Sequence, residues 1–358
     1  MFGGHNNRYV YSKLFSSAMQ PSNLEPFYIR AELIPSPDDI TITTLITPDR
    51  FEVFEKLINH YQGPISATLH VDETPEKRKI LGRLQAMYMR NPSMRRYVDV
   101  HLIVDSFERQ FNYWRNVARF FARTKYILML DVDFFPCTNL RQNLQRHPQL
   151  LGKLREGNAA IVIPAFEYGA LDEGRNSDHF PRTKDALIKV VRSGHLDMFH
   201  KVWQQGHGST NYTRWYSADQ PYLVTEYTYS YEPYVVVKKD AVPWCDERFI
   251  GYGANKAACL YEIYLSGTDF WVLPNDFLIH QNHDYPEVTR RMERKLNKQI
   301  YTNFREESCY RYWRNALALG TWNSPRSSNA RRECSKIPEF MELLNELDNP
   351  NSISLNSN

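Results

Sequence analysis

Lys125 to Cys137 reads K-Y-I-L-M-L-D-V-D-F-F-P-C, and the fold turns on how this stretch is read. Tyr126 to Leu130 is an unbroken apolar run, which marks a strand buried on both faces. It leads straight into Asp131-Val132-Asp133, and Phe134-Phe135-Pro136 ends the strand at once. Extended backbone turns side chains at i and i+2 the same way, so both carboxylates are expected on one side at the carboxyl end of a core strand. Open α/β sheets bind their ligands there. Two converging carboxylates repel unless a cation lies between them. A hard divalent ion, Mn²⁺ or Mg²⁺, suits oxygen ligands and would normally hold a phosphorylated ligand. Asp also starts turns, so the three letters alone leave a structural role open.

Upstream of this strand, strands and helices alternate. Ile40 to Ile46 is β-branched and reads as the first core strand. Thr47-Pro48-Asp49 opens a helix with Phe51, Phe54, Leu57, Ile58 and Tyr61 at helical spacing, and Gly63-Pro64 ends it. Ile65 to Val71 and Val98 to Val104 are further strands, with a helix between them over Thr74 to Met89. Asn112 to Arg123 is a helix with Trp114, Val117, Ala118 and Phe121 on one face. This alternation predicts a parallel sheet with right-handed crossovers. Downstream, Ala160–Pro164, Tyr234–Lys238, Asp269–Leu273 and Phe277–His280 read as strands. Glu167 to Ser209 reads as mostly helical and polar. Arg248 to Gly253 is a glycine-bracketed turn entering a helix over Ala254 to Leu265. Three regions result: an N-terminal arm over 1–36, a main domain over 37–320 and a polar tail over 321–358, peripheral or disordered, with one short amphipathic helix near Pro338 to Leu347.

The 358 residues suffice for a large core, and 14% aromatic content excludes a disordered chain. The formal charge is +3, from 44 Lys and Arg against 41 Asp and Glu, and no Lys/Arg-rich run is present, so nucleic acid is not an expected partner. The five cysteines contain no C-x-x-C pair, which argues against metal–thiolate chemistry; Cys309 with Cys334 is one conceivable disulfide. No apolar run approaches the roughly 18 residues of a membrane span, and residues 1–20 lack the pattern of a signal peptide.

Several stretches, in order, resemble one family. They are T-P-D-R-F-E-V-F-E (47–55), G-P-I-S (63–66), N-Y-W-R-N-V-A (112–118), L-D-V-D-F (130–134), I-V-I-P-A-F-E (161–167), G-H-G-S-T-N (206–211), E-P-Y-V-V-V (232–237), D-E-R-F-I-G-Y-G-A-N-K (246–256) and V-L-P-N-D-F-L-I-H (272–280). The chain resembles glycosyltransferase family 49, which holds the glucuronyltransferase domain of the LARGE-type enzymes and the related β-1,4-glucuronyltransferase. The resemblance covers roughly residues 40–290. It implies a GT-A fold, a Rossmann-like nucleotide-sugar-binding α/β fold with a mixed, mostly parallel sheet. It implies inverting, Mn²⁺-dependent transfer from a UDP-sugar, with UDP-glucuronic acid as donor and a xylose-terminated glycan as acceptor. Family members are membrane-anchored in the Golgi, whereas this chain shows no anchor.

The resemblance also assigns roles. Asp131 and Asp133 would hold the metal, Asp133 more directly, while Asp131 reaches the ribose or binds through water. His280, at the end of F-L-I-H, matches a metal-ligating histidine; read alone, it is more readily a core histidine donating to a backbone carbonyl. His283, three residues on in a loop, is set aside. Asn112, Arg115 and Asn116 match the family's N-x-x-R-N element, with Arg115 suited to phosphate or nucleotide. The loop carrying His207 and Asn211 is read as ligand-facing, although Asn211-Tyr212-Thr213 is also a glycosylation sequon. Lys256, His207 and Arg214 are available for a donor carboxylate. An inverting transfer needs a base, and Asp246, Glu262 and Glu232 are the candidates, each of which can also be a helix cap or an ion-pair partner. A catalytically inactive carbohydrate-binding relative is the alternative. A metal-dependent phosphohydrolase needs more metal-side ligands than can be assembled.

Overall fold

The computed structural model describes residues 23–107, 109–283 and 287–348. The chain runs β1 (Asn23–Ile29), β2 (Ile40–Ile46), α1 (Phe51–Tyr61), β3 (Ile65–Asp72), α2 (Lys77–Arg90), α3 (Pro92–Tyr97), β4 (Val98–Asp105), α4 (Phe111–Phe121), β5 (Tyr126–Met129) and β6 (Phe134–Pro136). It continues with α5 (Leu140–Leu144), α6 (Pro148–Glu156), β7 (Ala159–Ile163), β8 (Ala165–Tyr168), α7 (Lys184–Arg192), β9 (Leu196–Met198), α8 (Tyr212–Ser217), β10 (Tyr222–Leu223) and β11 (Tyr234–Lys238). Last come α9 (Asn255–Leu265), β12 (Asp269–Val272), β13 (Leu278–His280), α10 (Glu287–Ala318), α11 (Ser328–Cys334) and α12 (Pro338–Asp348).

Nine strands form one sheet in the order β1-β4-β3-β2-β5-β11-β7-β12-β10. The run β4-β3-β2-β5 is parallel, as the alternation of strands and helices predicts. β11 is antiparallel to both β5 and β7, and β12 is parallel to β7. This is the mixed α/β architecture that the GT-A resemblance implies. The chain progresses outward from β2 to β3 to β4, then returns to place β5 on the other side of β2. The strand order therefore reverses between β2 and β5, and the crevice at their carboxyl ends is where such a sheet takes a ligand.

β5 shows why its sequence is apolar throughout. Tyr126, Leu128 and Leu130 pack into the core below α1 and α2, while Ile127 and Met129 join a second core on the opposite face with α9. The period-two alternation thus feeds two cores rather than one core and solvent. α9 is buried over its whole length, which its near-continuous apolar sequence requires. A second sheet, β6-β13-β8-β9, abuts the carboxyl end of the first.

Three expectations need correction. Within 1–36, residues 23–29 are not irregular but form β1, an edge strand antiparallel to β4; residues 1–22 lie outside the described residues. Glu167 to Ser209 is not mostly helical, because β8 and β9 pair there and α7 is its one α-helix. The described part of the 321–358 tail is built into the domain. Cys334 bonds to Cys309, Ile337 and Phe340 are buried, and Met341 and Leu344 pack against the same cluster at helical spacing. Among the described residues no helix is long and apolar enough to cross a membrane.

Candidate active site

Asp131 and Asp133 lie just past β5, not on it. The backbone turns there, with Phe134 N donating to Asp131 O at 3.0 Å, and re-enters extended structure as β6. The two carboxylates are therefore not a strand pair facing one way. They serve different neighbours.

Asp131 is held by three side chains. Arg115 Nη2 lies 3.2 Å from Oδ1, while Lys256 Nζ at 3.1 Å and the Tyr234 hydroxyl at 2.9 Å donate to Oδ2. Lys256 also donates to Tyr234 Oη at 2.8 Å and stands 3.9 Å over the Tyr234 ring. Burial pushes the Asp131 carboxyl up, but Lys256 and then Arg115 outweigh it and hold it at about 2. The cations that relieve the carboxylate pair come, for Asp131, from the protein itself.

Asp133 faces histidines. His283 Nε2 is 2.8 Å and His280 Nε2 3.6 Å from Asp133 Oδ2. Burial raises the Asp133 carboxyl, and the adjacent His280 and the hydrogen-bonded His283 more than reverse that. Strand pairing explains the placement. β13 runs antiparallel to β6 with His280 opposite Phe134, and Gln281 N donates to Asp133 O at 2.7 Å. His283 follows β13 as the chain returns over the site, so the loop position that set it aside in the sequence brings it in. The ligand atoms of Asp133, His280 and His283 all lie within 4.8 Å of one another. One carboxylate and two imidazoles fit a divalent ion such as Mn²⁺. Asp133 and His280 lie side by side, His280 Nε2 3.6 Å from Asp133 Oδ2. His283 Nδ1 accepts from Arg50 Nη2 at 2.9 Å, so its Nε2 carries the proton, and ligation there requires Arg50 to turn away.

Of the other sequence-nominated residues, some converge on this centre and some do not. Arg115 and Lys256 do. Asn112 and Asn116 are buried with their amides committed. Asn112 donates to Asp246 O and Asn255 O and accepts from Arg115; Asn116 donates to Cys245 O and Glu247 Oε1 and accepts from Cys245 N. They clamp the 245–255 segment to α4 and have no amide group left for a nucleotide. His207 is buried beside Tyr234, with ring centroids 6.3 Å apart. Burial, then Lys256 and His200, hold its pKa well below the usual value, so it is neutral and offers no positive charge to a carboxylate. Asn211 adopts a left-handed conformation (φ 57°) and its Oδ1 caps α8 by accepting from Arg214 N. Arg214 stacks on Tyr222 and lines a cavity described below.

The three base candidates separate clearly. Both oxygens of Asp246 are taken by Arg248, which also reaches Glu307. Glu262, buried between α9 and α10, pairs with Arg311 at 3.0 Å. Glu232 forms no ion pair among the described residues. Burial raises its pKa, and its field is shared with Lys256, Asp131 and Arg115. Its amide donates to Gly206 O at 2.8 Å, which ties it to the His207 loop. Tyr234 and Arg50 are site residues that the sequence reading did not assign. Tyr234 opens Y-V-V-V-K, where the strand pattern masks a polar tip, and Arg50 sits in a helix-opening turn.

Two disulfides brace the region. Cys245–Cys259 ties the segment before Asp246 to α9, and Cys309–Cys334 ties α10 to α11; Cys137 is free and buried.

The model of the family described as "Glycosyl-transferase for dystroglycan" matches residues 39–111 and 105–313. "Xylosyl- and glucuronyltransferase LARGE2s" of Gallus gallus is 35% identical over 263 residues, covering 72% of this chain and 34% of the relative. The Rattus norvegicus LARGE2 enzyme is 36% identical over 252 residues, covering 70% and 35%, and the Homo sapiens LARGE1 enzyme 34% over 263 residues, covering 72% and 33%. The chain thus spans about a third of the length of these curated relatives. A solved structure, "Crystal structure of GalNAc-T7 with UDP, GalNAc and Mn2+", aligns at a TM-score of 0.39 and 9% identity, over 68% of this chain and 44% of that one. By the family model and by these identities, the chain belongs to glycosyltransferase family 49.

Proposed function

We propose that this chain transfers glucuronic acid from UDP-glucuronic acid to a glycan hydroxyl, with inversion, at the centre formed by Asp131, Asp133, His280 and Lys256. The observation that carries the reading is the Asp133–His280–His283 trio beside a second carboxylate fixed by two cations, at the point where the strand order reverses. Asp133 and His280 would hold Mn²⁺, with His283 joining when Arg50 releases it. A divalent ion there supplies charge neutralisation for a diphosphate leaving group.

The protein's own groups do the rest. Arg115 and Lys256 keep Asp131 ionised and in place, and their positive charge beside it favours a diphosphate. Glu232 takes the proton from the acceptor hydroxyl. It forms no ion pair among the described residues and burial raises its pKa, whereas Asp246 and Glu262 are bound to arginines. Two disulfides fit an oxidising compartment, which agrees with the Golgi lumen implied by the family.

The test is thermal stabilisation by Mn²⁺ with each of UDP-glucuronic acid, UDP-xylose, UDP-glucose, UDP-galactose and UDP-N-acetylglucosamine. At a hundredfold excess over Kd, a ligand of the native state adds about 2.7 kcal/mol. UDP-glucuronic acid should stabilise the wild type and neither Asp133→Ala nor His280→Ala. His283→Ala should weaken the effect without abolishing it. Stabilisation by a different UDP-sugar would change the donor, and no stabilisation by any of them, or by UDP, would sink the transferase reading.

A further inference from the structure

A cavity of about 310 Å³ opens beside the 206–211 loop, away from the Asp131–Asp133 turn. Its size suits one or two sugar rings. Gly208 and Ser209 line it from one side; Tyr222, Leu223, Thr225 and Glu226 line it from the other. Arg214 lies across its floor, with the guanidinium 4.4 Å over the Tyr222 ring. Arg214 and Glu226 are both exposed, and neither forms an ion pair among the described residues.

The charges select the class of ligand. An anion would meet Glu226, and a cation would meet Arg214. A neutral polyol satisfies both, accepting from the guanidinium and donating to the carboxylate, and it lays C–H groups on the exposed Leu223. The loop that forms the cavity wall also reaches the candidate active site. His207 borders Tyr234, and Gly206 O accepts from Glu232 N. A ligand here and a ligand at Asp133 would share one loop.

We propose that this cavity binds an uncharged sugar unit of the acceptor glycan, distant from the hydroxyl that reacts. That the bound sugar belongs to the acceptor rests on the transferase reading; that the cavity binds a sugar does not.

The test is therefore binding first. Saturation-transfer NMR with a xylose-terminated tetrasaccharide, without metal or donor, is compared for wild type, Thr225→Trp and Thr225→Ser. Thr225 is exposed, so the indole fills the cavity without entering the core, and the thermal midpoints of both variants check that they fold. Wild type and Thr225→Ser should bind, and Thr225→Trp should bind at least tenfold more weakly. Equal binding by all three proteins, or no binding by wild type at millimolar sugar, overturns the proposal. The second arm is turnover. KM for the tetrasaccharide should rise at least tenfold in Thr225→Trp, with KM for a simple β-xyloside and for the donor unchanged. Binding that follows this pattern with no transfer by wild type leaves the sugar site standing and removes the transferase reading. A tetrasaccharide KM that does not move shows that the cavity takes no part in acceptor recognition.

Discussion

Replacing Asp131 with Asn removes one negative charge from beside two cations and leaves the shape of the site nearly unchanged. Burial alone would raise this carboxyl, and Lys256 followed by Arg115 bring it from the ordinary 3.8 down to about 2. A carboxylate whose folded-state pKa is depressed stabilises the fold above the unfolded value and loses that contribution as pH falls through the folded value. At about 1.4 kcal/mol for each unit between the two values, the contribution is roughly 2 kcal/mol at pH 7. At pH 3 the same relation leaves roughly 1 kcal/mol. Solvent reaches 30% of the side chain, so these are upper figures. The assay is urea denaturation of wild type and Asp131→Asn at pH 7 and pH 3, with a chelator present throughout. The wild type should be more stable at pH 7 by up to about 2 kcal/mol, and that advantage should roughly halve at pH 3. An advantage equal at both pH values, or a more stable Asn variant at pH 7, would show that Lys256 and Arg115 do not stabilise the carboxylate as a charge.

Two other outcomes follow from the same contacts. Glu232→Gln should lower kcat by a factor of about 10² to 10⁴ with donor KM unchanged, while Asp246→Asn and Glu262→Gln cost less; loss of turnover in Asp246→Asn alone would move the base to Asp246. Breaking Cys245–Cys259, whose cysteines are 14 residues apart, by Cys259→Ser should cost about 3 kcal/mol, read as a lower thermal midpoint that added reductant does not lower further through this bond.

The parallel half of the sheet is legible because β2, β3, β4 and β5 are apolar runs separated by helices with clean 3.6-residue periodicity. β1 is not legible, since N-L-E-P-F-Y-I carries a proline and only an edge pairing supports it. The tail misleads for a different reason. Its Ser, Asn and Arg content resembles a solvated segment, while the Cys309–Cys334 bond and a few apolar residues at helical spacing hold it to α10. In the site, Asp133 and His280 are visible because Asp133 follows an apolar strand and His280 ends one, and strand pairing does the rest. Asn112 and Asn116 have the residue types of a binding element. Which way their amides point is decided by the 245–255 segment, more than a hundred residues away in sequence. His283 and Arg50 meet across an even longer separation, and no local pattern encodes that contact.

The division of labour between Asp131 and Asp133 has a geometric cause. On a continuous strand, two carboxylates at i and i+2 would face one environment and compete for one cation. The turn after β5 separates them. Asp131 remains at the end of the large sheet, where α4 supplies Arg115, α9 supplies Lys256 and β11 supplies Tyr234. Asp133 passes to the small sheet, where β13 supplies His280 and the following loop supplies His283. The first carboxylate is already neutralised by the protein, so a metal ion at the second needs only the Asp133 and histidine ligands. Moving the turn by one residue would exchange these environments, placing a histidine-held carboxylate among fixed cations. A one-residue insertion after Val132 should therefore abolish Mn²⁺ binding while the sheet persists. Intact Mn²⁺ binding in that variant would show that the turn does not set the two roles.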